Sequence, residues 1–136
     1  MTRAARFILS GKLLYRKSNG AQGVRRDAFL PRGNPLETSV ILHDDHVVDL
    51  PWTIGQKMAA ACKSDASGTR RQLHGIADVS DADVVTAKLQ LSPQPSKISK
   101  RHANIVGWSL ERVKQQDAAL TLAESAVVTL SPPQKN

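Results

Sequence analysis

Arg101-His102-Ala103-Asn104-Ile105-Val106-Gly107-Trp108 is the stretch on which the fold turns. A basic, polar entry runs into a short apolar segment that ends on a glycine and a large aromatic. A short apolar run bounded in this way reads as a buried strand. Successive side chains of a strand point to opposite faces. Ala103 and Ile105 therefore face one way, and His102 and Asn104 the other. Ile105 is the more apolar, so its side is expected to meet the helices. His102 and Asn104 then share the more open face, at a strand end where a ligand or partner can be met.

Working outward, Ser109 is placed to cap a last helix. Its apolar stripe is Ala119, Leu122, Ala123, Ala126, Val127 and Leu130, and Pro132-Pro133 ends it. Before the central stretch lies a loop near 92–101, held extended by Pro93 and Pro95. Further back, Gln72–Val79 reads as a strand. Ser80 and Asp83 follow it as a capping pair for a short helix. Lys63–Thr69 belongs to a loop near 63–71. Asp49 is placed to cap a helix from Leu50-Pro51 to about Cys62, because proline is tolerated in a first turn. Thr38–Leu42 is β-branched and apolar and reads as a strand, with a loop near 31–37 before it.

The N-terminal part is extended over Phe7-Ile8-Leu9 and Leu13-Leu14-Tyr15, with a bend at Ser10-Gly11. Asn19-Gly20 marks a hairpin turn, with Val24–Leu30 as the return strand. The order is strands, then helix, strand, helix, strand, helix. It implies an α+β fold in a single small basic domain of 136 residues. A mainly antiparallel or mixed sheet would carry about three helices packed on one face.

Charge divides the chain into three. Residues 1–36 carry eight Lys/Arg and one acid, 37–87 carry four and eight, and 88–136 carry seven and three. If the two basic ends fold together, they make a positive face for polyanions or an acidic partner. Arg25, Arg26, Lys97, Lys100, Arg101 and Asn104 are the candidate contacts. Aromatics are only 4% of the residues: Phe7, Phe29, Tyr15, Trp52 and Trp108. Few rings are spare for stacking unpaired bases, as single-strand binders do.

Cys62 is alone, so no intramolecular disulfide or cysteine-based zinc site can form. No Asn-x-Ser/Thr acceptor is present, and no apolar run approaches a membrane span. A cytoplasmic protein with no membrane contact is the expectation.

His43-Asp44-Asp45-His46 reads as a polar loop. Its spacing is not the helical one of zinc peptidases, and no third ligand stands nearby, so no metal or cofactor is expected. Phosphate-loop, dinucleotide and nucleophile-elbow signatures are absent. His74 and His102 are the candidate catalytic pair. If their strands are neighbours, one imidazole can take a 2′-hydroxyl proton while the other protonates the leaving oxygen.

The leading expectation is a non-enzymatic accessory module that docks on a larger protein or protein–nucleic-acid assembly. A metal-independent, toxin-like ribonuclease using His74 and His102 is the first alternative. A plain DNA- or RNA-binding protein is the second.

Overall fold

A computed structural model describes residues 2–44, 50–61, 72–97 and 99–131. Three of its strands are five to seven residues long and bury alternating apolar side chains. These are β1 (Thr2–Ile8), β4 (Thr38–Asp44) and β7 (His102–Val106). Between β1 and β4 lies a small hairpin, β2 (Leu14–Arg16) and β3 (Gln22–Val24). Helix α1 (Leu50–Ala61) precedes β5 (Gly75–Ser80), which runs into α2 (Asp81–Thr86). The chain continues through β6 (Gln90–Pro93) and β7 to α3 (Arg112–Ser125) and β8 (Val127–Thr129).

Six strands form one sheet in the order β6-β7-β4-β1-β5-β8, with every pairing antiparallel. The fold is α+β. The parallel pair that the alternating second half allowed does not occur among the described residues.

The two faces of the sheet carry separate cores. Ala4, Ile8, Val40, Ala77, Val79, Ala103 and Ile105 pack with Val84 of α2 and Ala119, Leu122 and Ala123 of α3. Ala5 and Ile76, on the other face, pack with Trp52 of α1, flanked by Phe7 and Leu73. The helices are thus divided between the faces, which corrects the expectation that all lie on one. Element order carries no information about which side a helix crosses.

The ends of elements follow local chemistry. The Ser80 hydroxyl accepts from the Asp83 N–H, and the Asp83 carboxylate accepts from the Ser80 N–H. This reciprocal box starts α2 where the spacing predicts. Ser109 Oγ accepts from the Glu111 N–H, but Glu111 holds the cap position of α3. Helix α3 stops at Ser125 rather than continuing to Leu130. The β-branched run Val127-Val128-Thr129 instead pairs with Ile76–Asp78 as an edge strand.

Further boundaries differ from expectation: β1 covers Thr2–Ile8, of which only Phe7-Ile8 was expected to be extended, and Leu9 lies beyond it. The hairpin return strand is only Gln22–Val24, because the ladder has three pairs and closes at Leu14↔Val24. Arg26–Ala28 is then a 3₁₀ turn. Residues 90–93, assigned in part to a loop, pair with Ala103–Val106 as the other edge strand. Asp49, Cys62 and the loop near 63–71 lie outside the described residues. Among the described residues, no helix is long and apolar enough to cross a membrane.

Candidate anion-binding site

β1 and β4 stay paired only from Thr2↔Asp44 to Ala5↔Ile41. The Leu42 N–H donates to the Arg101 carbonyl in the direction of β7. Backbone direction alternates along a strand, so the groups of Ile41 and Ser39 point toward β1. β1 has already turned away at Arg6. The Ser39 carbonyl would therefore lack its ladder partner and be left to solvent.

Arg6 supplies the donor. Its Nη1 donates to the Ser39 carbonyl at 2.9 Å, and its Nε to the Ala28 carbonyl of the 3₁₀ turn at 2.8 Å. The guanidinium staples the diverging strand to that turn. Both acceptors are neutral, and among the described residues no carboxylate pairs with Arg6. Burial, and then the neighbouring charge of Arg32, bring the guanidinium down to about 10. It remains a cation at neutral pH.

The divergence leaves a cavity of about 210 Å³. Arg6, Arg32, Ser39 and His102 supply polar groups to its wall, with Asp27 as the acid. Phe7, Leu9, Ile41 and Met58 line apolar wall between them. Arg32 is exposed, on the turn closed by the Arg32–Glu37 bridge. The arrangement offers two cations and the Ser10 hydroxyl beside an apolar surface. That is the chemistry of a site for a small anionic group carried on an apolar body.

His102 stands on this wall at the start of β7. Its Nδ1 lies 2.8 Å from the Gln94 carbonyl. A carbonyl only accepts, so Nδ1 carries the proton and Nε2 of the neutral ring keeps its lone pair. The side-chain directions expected for this strand hold: Ile105 lies in the core with α2 and α3. Asn104 is only 5% exposed, however. Its amide donates to Glu37 Oε2 at 3.0 Å and its oxygen accepts from Ser39 Oγ at 3.4 Å. The open face expected for Asn104 is closed over that residue.

His74 is placed elsewhere. Its N–H donates to the Ile8 carbonyl, which puts it at the start of β5. β1 and β4 both lie between β5 and β7. At ordinary strand spacing that is about 14 Å across the sheet. The strands of His74 and His102 are not neighbours, so the condition for a shared two-histidine site is unmet.

The cationic candidates fall in two places. Arg25 and Arg26 are exposed at the start of the 3₁₀ turn that borders the cavity. Lys97, Lys100 and Arg101 are exposed on the turn between β6 and β7 that leads into His102.

Arg6 and Arg32 were not among the sequence candidates. The available signal was an arginine set between Ala4 and Ile8, at a core-facing position of an apolar strand.

A second polar cluster lies on the α1 side. The sequence places His43 and Asp44 in a loop, but both belong to β4, and His43 is 7% exposed. His43 Nε2 donates to Asp78 Oδ1 at 2.7 Å, and Nδ1 donates to the Asp44 carbonyl at 3.1 Å. Arg3 Nε donates to Asp78 Oδ2 at 2.5 Å. The hydrogen bond to Asp78 holds the His43 ring above its ordinary value, against the opposing effects of burial and Arg3. With a proton on each nitrogen the ring has no lone pair to act as a base, so the cluster is an ionic tie across three strands. His46 lies outside the described residues. Among the described residues, no group of three His, Cys, Asp or Glu side chains could hold a metal ion.

Neither a family model, a curated protein nor a solved structure matches this chain. The fold and the cavity alone define it: an α+β protein with a cation-lined gap between two central strands.

Proposed function

We propose that the chain is a non-enzymatic binding module. It docks on a larger protein or protein–nucleic-acid assembly and holds an anionic group of that partner in the β1–β4 cavity. The observation that carries this is the meeting of Arg6 and Arg32 at one cavity whose remaining wall is largely apolar. Against these two cations the wall sets one carboxylate, Asp27, so the cavity keeps an excess of positive charge that favours an anion. Arg6 is already fixed by two carbonyls, so little freedom is lost when an anion binds. His102 adds an imidazole to the rim, its Nδ1 held by the Gln94 carbonyl. A cytoplasmic setting belongs to this reading, on the strength of the lone Cys62.

Capture of partners from a lysate tests it. The wild-type protein retains its partner, inorganic phosphate competes, and Arg32→Glu loses the partner while melting at the wild-type temperature. Unchanged capture by Arg32→Glu, with no effect of phosphate, overturns the cavity as the docking point. The purified protein is also incubated with mixed RNA in EDTA. Intact RNA is expected, and cleavage abolished by His102→Ala replaces the module with a nuclease.

A further inference from the structure

Four of the five aromatic residues lie against a hydrophobic core: Phe29, Trp52 and Trp108 are buried, and Phe7 packs beside Trp52. Tyr15 is the exception, at 40% exposure on the outer surface of the β2–β3 hairpin. The register pairs Tyr15 with Gly23. A Cβ on Gly23 would lie 2.7 Å from Tyr15 Cζ and 2.9 Å from Cε1. The ring therefore lies down on the glycine, in space that any side chain would fill.

Period-two alternation puts Tyr15, Lys17, Gly23 and Arg25 on one face of the hairpin. Lys17 Cε flanks the glycine on one side. The Arg25 guanidinium carbon stands 5.6 Å from the ring centre on the other. The opposite face of the hairpin buries Val24 and packs Leu14 against the core. From Lys12 to Arg26 the chain holds five cations and no acid. Asp27 follows, with Arg26 Nε 4.0 Å from its carboxylate. A groove of about 380 Å³ runs beside the ring over Val24 and Leu120, walled by Arg25, Arg26 and Asp27. That is the size of an ordinary small-ligand cleft.

We infer that this hairpin face binds single-stranded nucleic acid, with one unpaired base stacked on Tyr15 and the flanking phosphates on Lys17, Arg25 and Arg26. Unspecific single-strand binding needs a cationic track and an aromatic face on which a base can lie. The hairpin has both, and the single ring sets the stacking at one base. Arg25 exchanges its cation–π contact for a phosphate as the base arrives. Duplex offers phosphates but no open base, so stacking separates the two forms. The inference does not use the β1–β4 cavity, and either can fail without the other.

The test is fluorescence anisotropy with labelled oligouridylate, the matching oligothymidylate and a duplex of equal length. Both single strands are expected to bind, and the duplex more weakly. A preference for oligouridylate identifies RNA as the ligand. Equal affinity means that base and phosphate alone are read, and either result supports the platform.

Tyr15→Ala weakens single-strand binding about tenfold, the range found for loss of one stacked base. Tyr15→Phe keeps the affinity. Gly23→Ala displaces the ring and reproduces the loss, provided that the melting temperature shows it folded. Arg25→Gln and Arg26→Gln each flatten the salt dependence by about 0.7 in slope. Equal binding of duplex and single strand, an unchanged affinity in folded Tyr15→Ala, or no binding at low salt overturns the inference.

Discussion

His43 and Asp78 meet at 2.7 Å although β1 runs between their strands. The contact ties β4 to β5 over the top of β1, and Arg3 of β1 holds the other oxygen of the same carboxylate. The strands on each side of β1 are thus fixed by side chains as well as by the ladder.

This tie makes stability depend on pH with a definite sign. The folded-state value of His43 is raised above 6.5. A raised histidine contributes stability that is fully present below its unfolded value and is lost as pH rises through its folded value. His43→Gln removes that contribution, worth about 2 kcal/mol for a hydrogen bond to a charged group. The gap in melting temperature between wild type and His43→Gln is expected to be widest below 6.5 and to narrow as the pH climbs past the raised value. A gap of constant width through that range would show a ring that does not titrate.

Arg6 gives a stability test tied to the cavity. Arg6→Met leaves the part-buried Ala28 carbonyl without its donor and gives the exposed Ser39 carbonyl to water, at a cost of about 1 kcal/mol in urea unfolding. Arg6→Lys can reach one carbonyl and is expected to fall between. Arg32→Gln, on an exposed turn, leaves the unfolding midpoint where it is. A wild-type midpoint for Arg6→Met would mean that water replaces the guanidinium at both carbonyls.

These contacts show where sequence reasoning succeeds and where it stops. β4, β5 and β7 were legible because Thr38–Leu42, Gln72–Val79 and His102–Val106 each hold a short apolar run, whereas β1 was legible only at its end, Phe7-Ile8, since Arg3 and Arg6 interrupt the rest. The Ser80–Asp83 box was legible because its chemistry is local. β6 and β8 were not: Gln90–Pro93 contains a proline, and Val127–Thr129 follows a helix in phase with its stripe. Edge strands of three or four residues are decided by what they pair with. The position of His102 at the start of β7 was legible as a strand end. The cavity itself was not, since it arises where β1 and β4 part, and its two arginines are 26 positions apart in sequence.

Gly107 tests the turn that follows β7. Its φ of +92° suits glycine, and a Cβ there would meet nothing closer than 3.8 Å. Gly107→Ala therefore adds backbone strain without a clash, and is expected to cost about 1–2 kcal/mol. The loss should appear in thermal unfolding with the circular dichroism of the folded state unchanged. An unaltered melting temperature would mean that the turn relaxes to a negative φ, and with it the approach of Trp108, whose Nε1 donates to the Ile105 carbonyl at 2.9 Å.

His102 separates a recognition role from a structural one. Its Nδ1 bond to the Gln94 carbonyl closes a turn that is otherwise solvent-exposed, and the backbone bond from the Gln94 N–H to the His102 carbonyl closes it independently. Removing the ring is therefore expected to cost less than about 1 kcal/mol. The wall of the cavity, by contrast, loses the only imidazole among its lining residues. With inorganic phosphate as probe and the Arg6 Nε–H resonance as readout, His102→Ala is expected to bind severalfold more weakly. Its melting temperature should stay within a degree or two of wild type, about the shift that so small a loss produces. A fall of many degrees, with phosphate binding per folded molecule preserved, would assign the imidazole to the turn and leave the anion to the two arginines.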